Sequence, residues 1–146
     1  MFIEESLQAS VLWVSINLGL TLILALNVTR HRAKEGVPVG SGSSEILERA
    51  IRAHGNNIEY VPGALIGILM LVFLEYSSIL IHCLGGLLFV ARISHAHGIQ
   101  QIGEELPKTR VIGNILTWTL YLIIIGLLFY LSLIHISEPT RLGMIS

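Results

Sequence analysis

Charge is scarce in this chain of 146 residues. Asp, Glu, Lys and Arg together make up 13% of it, about half of what a soluble domain of ordinary composition carries. With 53% hydrophobic residues and a mean hydropathy of +0.73, this excludes a conventional water-soluble domain and points to an integral membrane protein. Cysteine is nearly absent: the lone Cys83 excludes an intrachain disulfide framework, and its apolar neighbours predict a small buried hydrophobe. A net charge of −1 gives no argument for nucleic acid, and no basic patch interleaved with aromatics supplies one. The lipid bilayer, not nucleic acid, is the expected partner. Residues 1–8 hold two acids and no base, so the positive leader of a cleaved signal peptide is missing and the first apolar segment is expected to be a retained span. No Ser-His-Asp arrangement, P-loop or dinucleotide fingerprint is visible. Any chemistry must then come from a bound reagent, and a thiol fits, because nearby guanidinium groups favour its thiolate.

What is present is four apolar runs of membrane-crossing length, each near 20 residues. They cover residues 9–28, 58–76, 79–94 and 111–131. The second is preceded by a polar helical extension from Ser44, a plausible N-cap, with Glu45 and Glu48 suiting the positive helix end. Pro62 should bend that helix. Gly63 and Gly67 form a small-xxx-small pair, and Gly85 with Gly86 adds two more positions of close approach. The expected fold is an all-α integral membrane protein, a single four-helix bundle over residues 1–131 with no internal repeat.

Basic residues set an orientation. Arg30, Arg32, Lys34, Arg49, Arg52, Arg92, Lys108 and Arg110 lie in or beside the first and third connections, and the middle connection has none. The positive-inside rule places loops one and three in the cytoplasm and both termini outside. Loop one, residues 29–43, is glycine-rich and expected to be flexible.

Charge runs directly into the second apolar segment. Arg52, Asn56 and Glu59 sit at i, i+4 and i+7, one polar stripe on a helix. An ionisable side chain at that depth is costly and faces a protein interior or a cavity. A guanidinium, an amide and a carboxylate in line make a receptor for a small zwitterion. Arg49, Arg92, His95 and Arg110 can join them in one cytoplasm-facing pocket. Two blander readings compete: arginines that flank spans and meet lipid phosphates, and a Glu59–arginine ion pair serving packing alone. His54, His95 and His97 do not make a metal site, because their spacing scatters them over different faces and no cysteine or carboxylate completes a set.

The run Glu48-Arg49-Ala50-Ile51-Arg52-Ala53-His54-Gly55-Asn56-Asn57-Ile58-Glu59-Tyr60-Val61-Pro62 resembles the second-helix motif of the MAPEG superfamily (membrane-associated proteins in eicosanoid and glutathione metabolism). The likeness extends to residues 87–98 and 110–118 and has the flavour of the small bacterial members. It implies a homotrimer of four-helix protomers in the bacterial inner membrane, binding glutathione between protomers near the cytoplasmic face. Carried over by position, it implies Arg52, Asn56, Glu59 and Tyr60 as glutathione contacts, Arg30 and His95 as further contacts, and Arg110 as the catalytic, thiolate-stabilising residue. The implied activity is glutathione transfer to an apolar small-molecule electrophile, or reduction of a lipid hydroperoxide. His95 and Ile99 stand where eukaryotic members place tyrosines, and the third connection is longer and carries Glu104 and Glu105. Both departures point away from eicosanoid activity.

A non-enzymatic membrane protein that binds glutathione or another small anion as a structural or sensing ligand is the alternative. A transporter subunit is disfavoured, because the stripe reaches only partway and Asn17 alone is too little to continue it. Residues 132–146 lose periodicity and resemble a translated sequencing-adapter read-through, so they are expected to be non-native or disordered.

Overall fold

The computed structural model describes residues 2–103 and 106–137. It consists of α1 (Phe2–Glu35), α2 (Glu45–Phe73), α3 (Ser78–Gln100) and α4 (Lys108–Ser137). All four are long and apolar enough to cross a membrane. The expected four-span helical bundle is the architecture found. Glu104 and Glu105 of the third connection lie outside the described residues, as do residues 138–146 of the tail. The helix of α4 runs on through 132–137, beyond the expected boundary at residue 131.

The helices outgrow the apolar spans because their polar flanks carry caps. The Ser44 hydroxyl accepts from the Leu47 N–H at 3.3 Å and starts α2 as expected. Ser77 does the same for α3 through Leu80. The C-terminus of α2 falls at Phe73 rather than residue 76. There Glu75 takes φ 60°, and the N–H groups of Glu75 and Tyr76 turn back to the carbonyls of Val72 and Leu71. That left-handed closure satisfies two terminal carbonyls, and it makes the turn independent of glycine. At α1 the same closure uses Gly36 (φ 65°), with the Val37 N–H on the Arg32 carbonyl. Pro62 lies inside α2 and does not end it.

Packing follows chain order. α2 and α3 form the centre, α1 packs on both, α4 packs on both, and α1 and α4 do not meet. The two ends of the bundle differ. The half nearest the α2–α3 turn is dry: Ala64, Ile68, Leu71, Ile81, Leu84, Leu88, Leu120 and Ile124 form one apolar core. Gly67 brings α2 onto Ile124 of α4, and Gly85 leaves the notch that Trp13 of α1 fills. The Trp13 indole N–H then donates to His82 Nδ1 at 3.2 Å. Cys83 departs from its expected burial: it is exposed on α3, on the outside of the bundle. The half that carries connections one and three has a smaller apolar cluster of Leu24, Ala53, Ala96 and Ile99. Polar side chains fill the remainder.

Candidate functional site

Two glycines let α3 and α4 touch backbone to backbone at the polar end. A Cβ on Gly98 would strike the Arg110 backbone, and one on Gly113 would lie 2.5 Å from the His95 nitrogen and 2.7 Å from the Ala91 carbonyl. Close approach of this kind is how small residues join helices in lipid. Here it sets Arg110, at the start of α4, beside His95, near the end of α3. The Ser94 hydroxyl donates to the Thr109 carbonyl at 2.9 Å and ties the same two helix ends.

Beside this seam opens a cleft of about 400 Å³, within the range of small-molecule sites. α2 lines it with Glu45, Glu48, Arg49, Arg52, Asn56 and Tyr60, α3 with His95 and Ile99, and α4 with Arg110, Asn114 and Trp118. The convergence of spans two, three and four at one end is therefore present. Of the residues singled out from sequence, Arg52, Asn56, Tyr60, His95 and Arg110 line the cleft. Arg30 and Glu59 do not. Arg30 is on α1, which packs behind α2 and α3 and contributes nothing to the lining. Glu59 is exposed and accepts from Asn56 Nδ2 at 3.4 Å. Tyr60 follows Asn56 along the cleft wall in its place. An ion pair between Glu59 and a neighbouring helix is not formed among the described residues, where Glu45–Arg49 is the salt bridge present.

The cations of the cleft fall into two kinds. Arg49 is spent on the protein: Nη1 donates to the carbonyls of Ile99 at 3.2 Å and Gln101 at 2.6 Å, and Nε donates to Glu45 at 2.8 Å. It closes the negative end of α3. The side chains of Arg52 and Arg110 make no hydrogen bond or ion pair among the described residues, so both are available to an anion.

Behind the cleft sits Arg92, fully buried at 0% exposure and about 12 Å along α3 from its end at the helical rise per residue. Its Nη2 donates to Asn56 Oδ1 at 2.7 Å and faces His95 Nδ1 at 3.4 Å. Nε reaches Asn57 Oδ1 at 3.5 Å and Nη1 reaches Thr117 at 3.4 Å. The guanidinium lies 5.5 Å over the Tyr60 ring, a cation–π distance. Tyr60 is fixed in turn by Tyr121, whose ring meets it edge-on at 6.0 Å and whose hydroxyl donates to the Tyr60 carbonyl at 2.7 Å. Asn57 donates onward to Thr21 at 2.9 Å, and Thr21 to the Asn17 carbonyl at 2.8 Å. The polar chain thus runs through all four helices and ends on the backbone of Asn17, whose own side chain bonds only to the Trp13 carbonyl of α1 among the described residues, at 2.8 Å. The chain runs across the bundle rather than toward the dry end, so it makes no solute path.

Sequence reasoning missed Asn57, Thr117, Asn114 and Trp118. For the last two a signal existed: Arg110, Asn114 and Trp118 are spaced i, i+4, i+8, one face of a helix.

Residues 10–130 match the MAPEG family. The chain belongs to that family. It is also similar to the protein called inner membrane protein YecN in two strains of Escherichia coli, K12 and O6:H1. Each is 30% identical over 128 residues, covering 85% of this chain and 93% of the relative. No solved structure matches.

Proposed function

We propose that this MAPEG protein binds glutathione in the α2–α3–α4 cleft and holds it as thiolate for attack on an apolar electrophile or a lipid hydroperoxide. The observation that carries the reading is the pair of guanidinium groups, Arg52 and Arg110, that line one cleft together with Ile99 and Trp118 and have no partner among the described residues. Glutathione offers two carboxylates and a thiol, and guanidinium groups suit all three in anionic form. Arg110 is the catalytic residue in this reading: its charge stabilises the sulfur anion. Arg52, Asn56, Tyr60 and His95 are the binding residues. Arg30 and Glu59 reach the ligand only if two copies close the cleft between them, as a homotrimer of these bundles allows. Similarity to an E. coli inner membrane protein supports a bacterial inner-membrane location, and the distribution of basic residues supports an orientation with connections one and three in the cytoplasm and both termini outside.

In conjugation the thiolate sulfur forms a bond to the electrophilic carbon, and a leaving group or the carbon skeleton takes up the electron pair. With a hydroperoxide, one glutathione cleaves the O–O bond and a second completes the disulfide, giving an alcohol and water.

The test is a thiolate difference spectrum on the full chain in detergent. Titrated glutathione should give a saturable signal at neutral pH. Arg110→Ala should abolish it while binding weakens by no more than about tenfold, or 1.4 kcal/mol. Binding without a thiolate signal would favour a passive ligand over an enzyme. Absence of binding would refute the reading.

A further inference from the structure

Arg92 has no carboxylate partner among the described residues. A guanidinium carries five N–H donors and no acceptor, so each group facing it must turn an acceptor inward. Two cleft residues are otherwise undecided in this respect. The amide of Asn56 can point either atom at Arg92; Oδ1 lies 2.7 Å from Nη2, whereas the flipped amide would set donor against donor. Its Nδ2 is thereby turned outward, with one hydrogen directed to Glu59 at 3.4 Å and the other left to the cleft. His95 places Nδ1 at 3.4 Å from the same Nη2. That nitrogen can only accept there, so the ring is neutral and its proton sits on Nε2. His95 is 2% exposed and lines the cleft, which leaves Nε2–H as its contribution to the floor.

We infer that Arg92 is a positioning residue that fixes the hydrogen-bond polarity of the cleft floor, making Asn56 and His95 donors and selecting a ligand group that only accepts. Arg52 and Arg110 add guanidinium donors to the same cleft, beside which the Asn114 amide and the Tyr60 hydroxyl are the groups of the lining that can either donate or accept. A carboxylate or a thiolate fits this floor. An ammonium or an amide N–H is better served by Glu45 and Glu48, which line the same cleft. The selection among ligand groups rests on the proposed glutathione reading; the polarity itself does not.

Two measurements on the full chain in detergent test the inference, and they fail separately. The first uses no ligand: ring ¹⁵N chemical shifts at pH 7, with His95 identified by the loss of its signals in His95→Gln. The expected pattern is the neutral Nε2–H form. In Arg92→Met the signals should move to a mixture of tautomers or to the imidazolium. An Nδ1–H form or an imidazolium in the wild type would overturn the inference, even if Arg92→Met does not fold. The second is glutathione affinity in Asn56→Asp. This change keeps an acceptor against Arg92 and removes the donor that faces the cleft. Affinity should fall about 10- to 100-fold, the range for a hydrogen bond to a charged group, while the variant still unfolds cooperatively. Wild-type affinity in Asn56→Asp would also overturn it. If the wild type itself binds no glutathione, the functional reading fails, and the His95 tautomer still decides the role of Arg92.

Discussion

The two ends of this bundle solve the problem of helix association in lipid in opposite ways. Near the α2–α3 turn, Leu, Ile and Ala interlock around two glycine notches, and the polar links there are few, among them Trp13 to His82 at the surface and the buried Ser6 hydroxyl to the Tyr76 carbonyl at 2.7 Å. At the other end a buried arginine holds Asn56, Asn57, His95 and Thr117 together. In lipid, apolar surface gives no hydrophobic drive, so the first end relies on close packing and the second on hydrogen bonds. A packed apolar end tolerates no ligand. A polar end lined by Arg52 and Arg110 offers guanidinium groups to a ligand. The difference suggests that one end provides stability and the other binding.

The largest effect should come from the α3–α4 seam. Gly113→Val places carbon against the backbone of His95 and Ala91, which cannot step aside, so we expect a loss of about 3 kcal/mol or more, together with glutathione binding. Gly85→Val at the apolar end meets the Cβ and Cγ of Trp13, which cannot rotate clear, so α1 must shift; it should lose less than Gly113→Val because a side chain rather than a backbone-to-backbone seam is displaced. Gly126→Ala, with nothing within 4 Å, should lose nothing and gain up to about 1 kcal/mol in helix propensity. Chemical unfolding in detergent ranks the three; a Gly113→Val protein as stable as Gly85→Val would remove the seam from the argument. Next comes a pair of substitutions meant to separate the ends. Leu88→Ala opens a cavity at a fully buried position and should cost about 2–4 kcal/mol of stability while leaving glutathione affinity alone. Arg52→Ala, exposed and without a partner among the described residues, should change stability by less than about 0.5 kcal/mol yet weaken glutathione by about tenfold. Equal destabilisation by the two would mean that binding and stability are not divided between the ends.

The helices and much of the cleft could be read before any coordinates. Four apolar runs and the Ser44 cap rest on local signals, whereas the convergence of Arg52, Asn56, Tyr60, His95 and Arg110 rests on the shared side of connections one and three and on the family resemblance. What could not be read depends on which helix lies behind which. Arg30 belongs to a basic cluster in sequence, yet α1 packs on the back of α2 and α3, so it cannot reach the cleft within one chain. Glu59 continues the i, i+4, i+7 stripe, yet it turns out of the cleft and Tyr60 takes the wall. Arg92 was legible as a candidate but not as the fully buried hub of the site, because its partners Asn57 and Thr117 lie 35 and 25 residues away on other helices. A stripe on one helix predicts a polar face; only the neighbours decide which member of it touches ligand and which touches protein.

Arg49 and Arg52 sharpen this distinction on a small scale. They are three residues apart on α2, carry the same group and line the same cleft. Arg49 has its N–H groups committed to the Ile99 and Gln101 carbonyls and to Glu45. Its pair with Glu45 is partly exposed, the two side chains being 25% and 59% accessible, so the ion pair itself adds little. The carbonyl bonds at the end of α3 matter more, and Arg49→Ala should cost about 1 kcal/mol. Because those donors are turned away from the ligand, glutathione affinity should change by no more than about twofold, under 0.5 kcal/mol. Arg52→Ala should show the reverse, with binding lost and stability kept. Calorimetric titration and thermal unfolding on both variants measure the two quantities side by side. If Arg49→Ala weakens binding as much as Arg52→Ala does, the guanidinium of Arg49 releases its carbonyls on binding, and the cations do not divide into those that hold the fold and those that bind an anion.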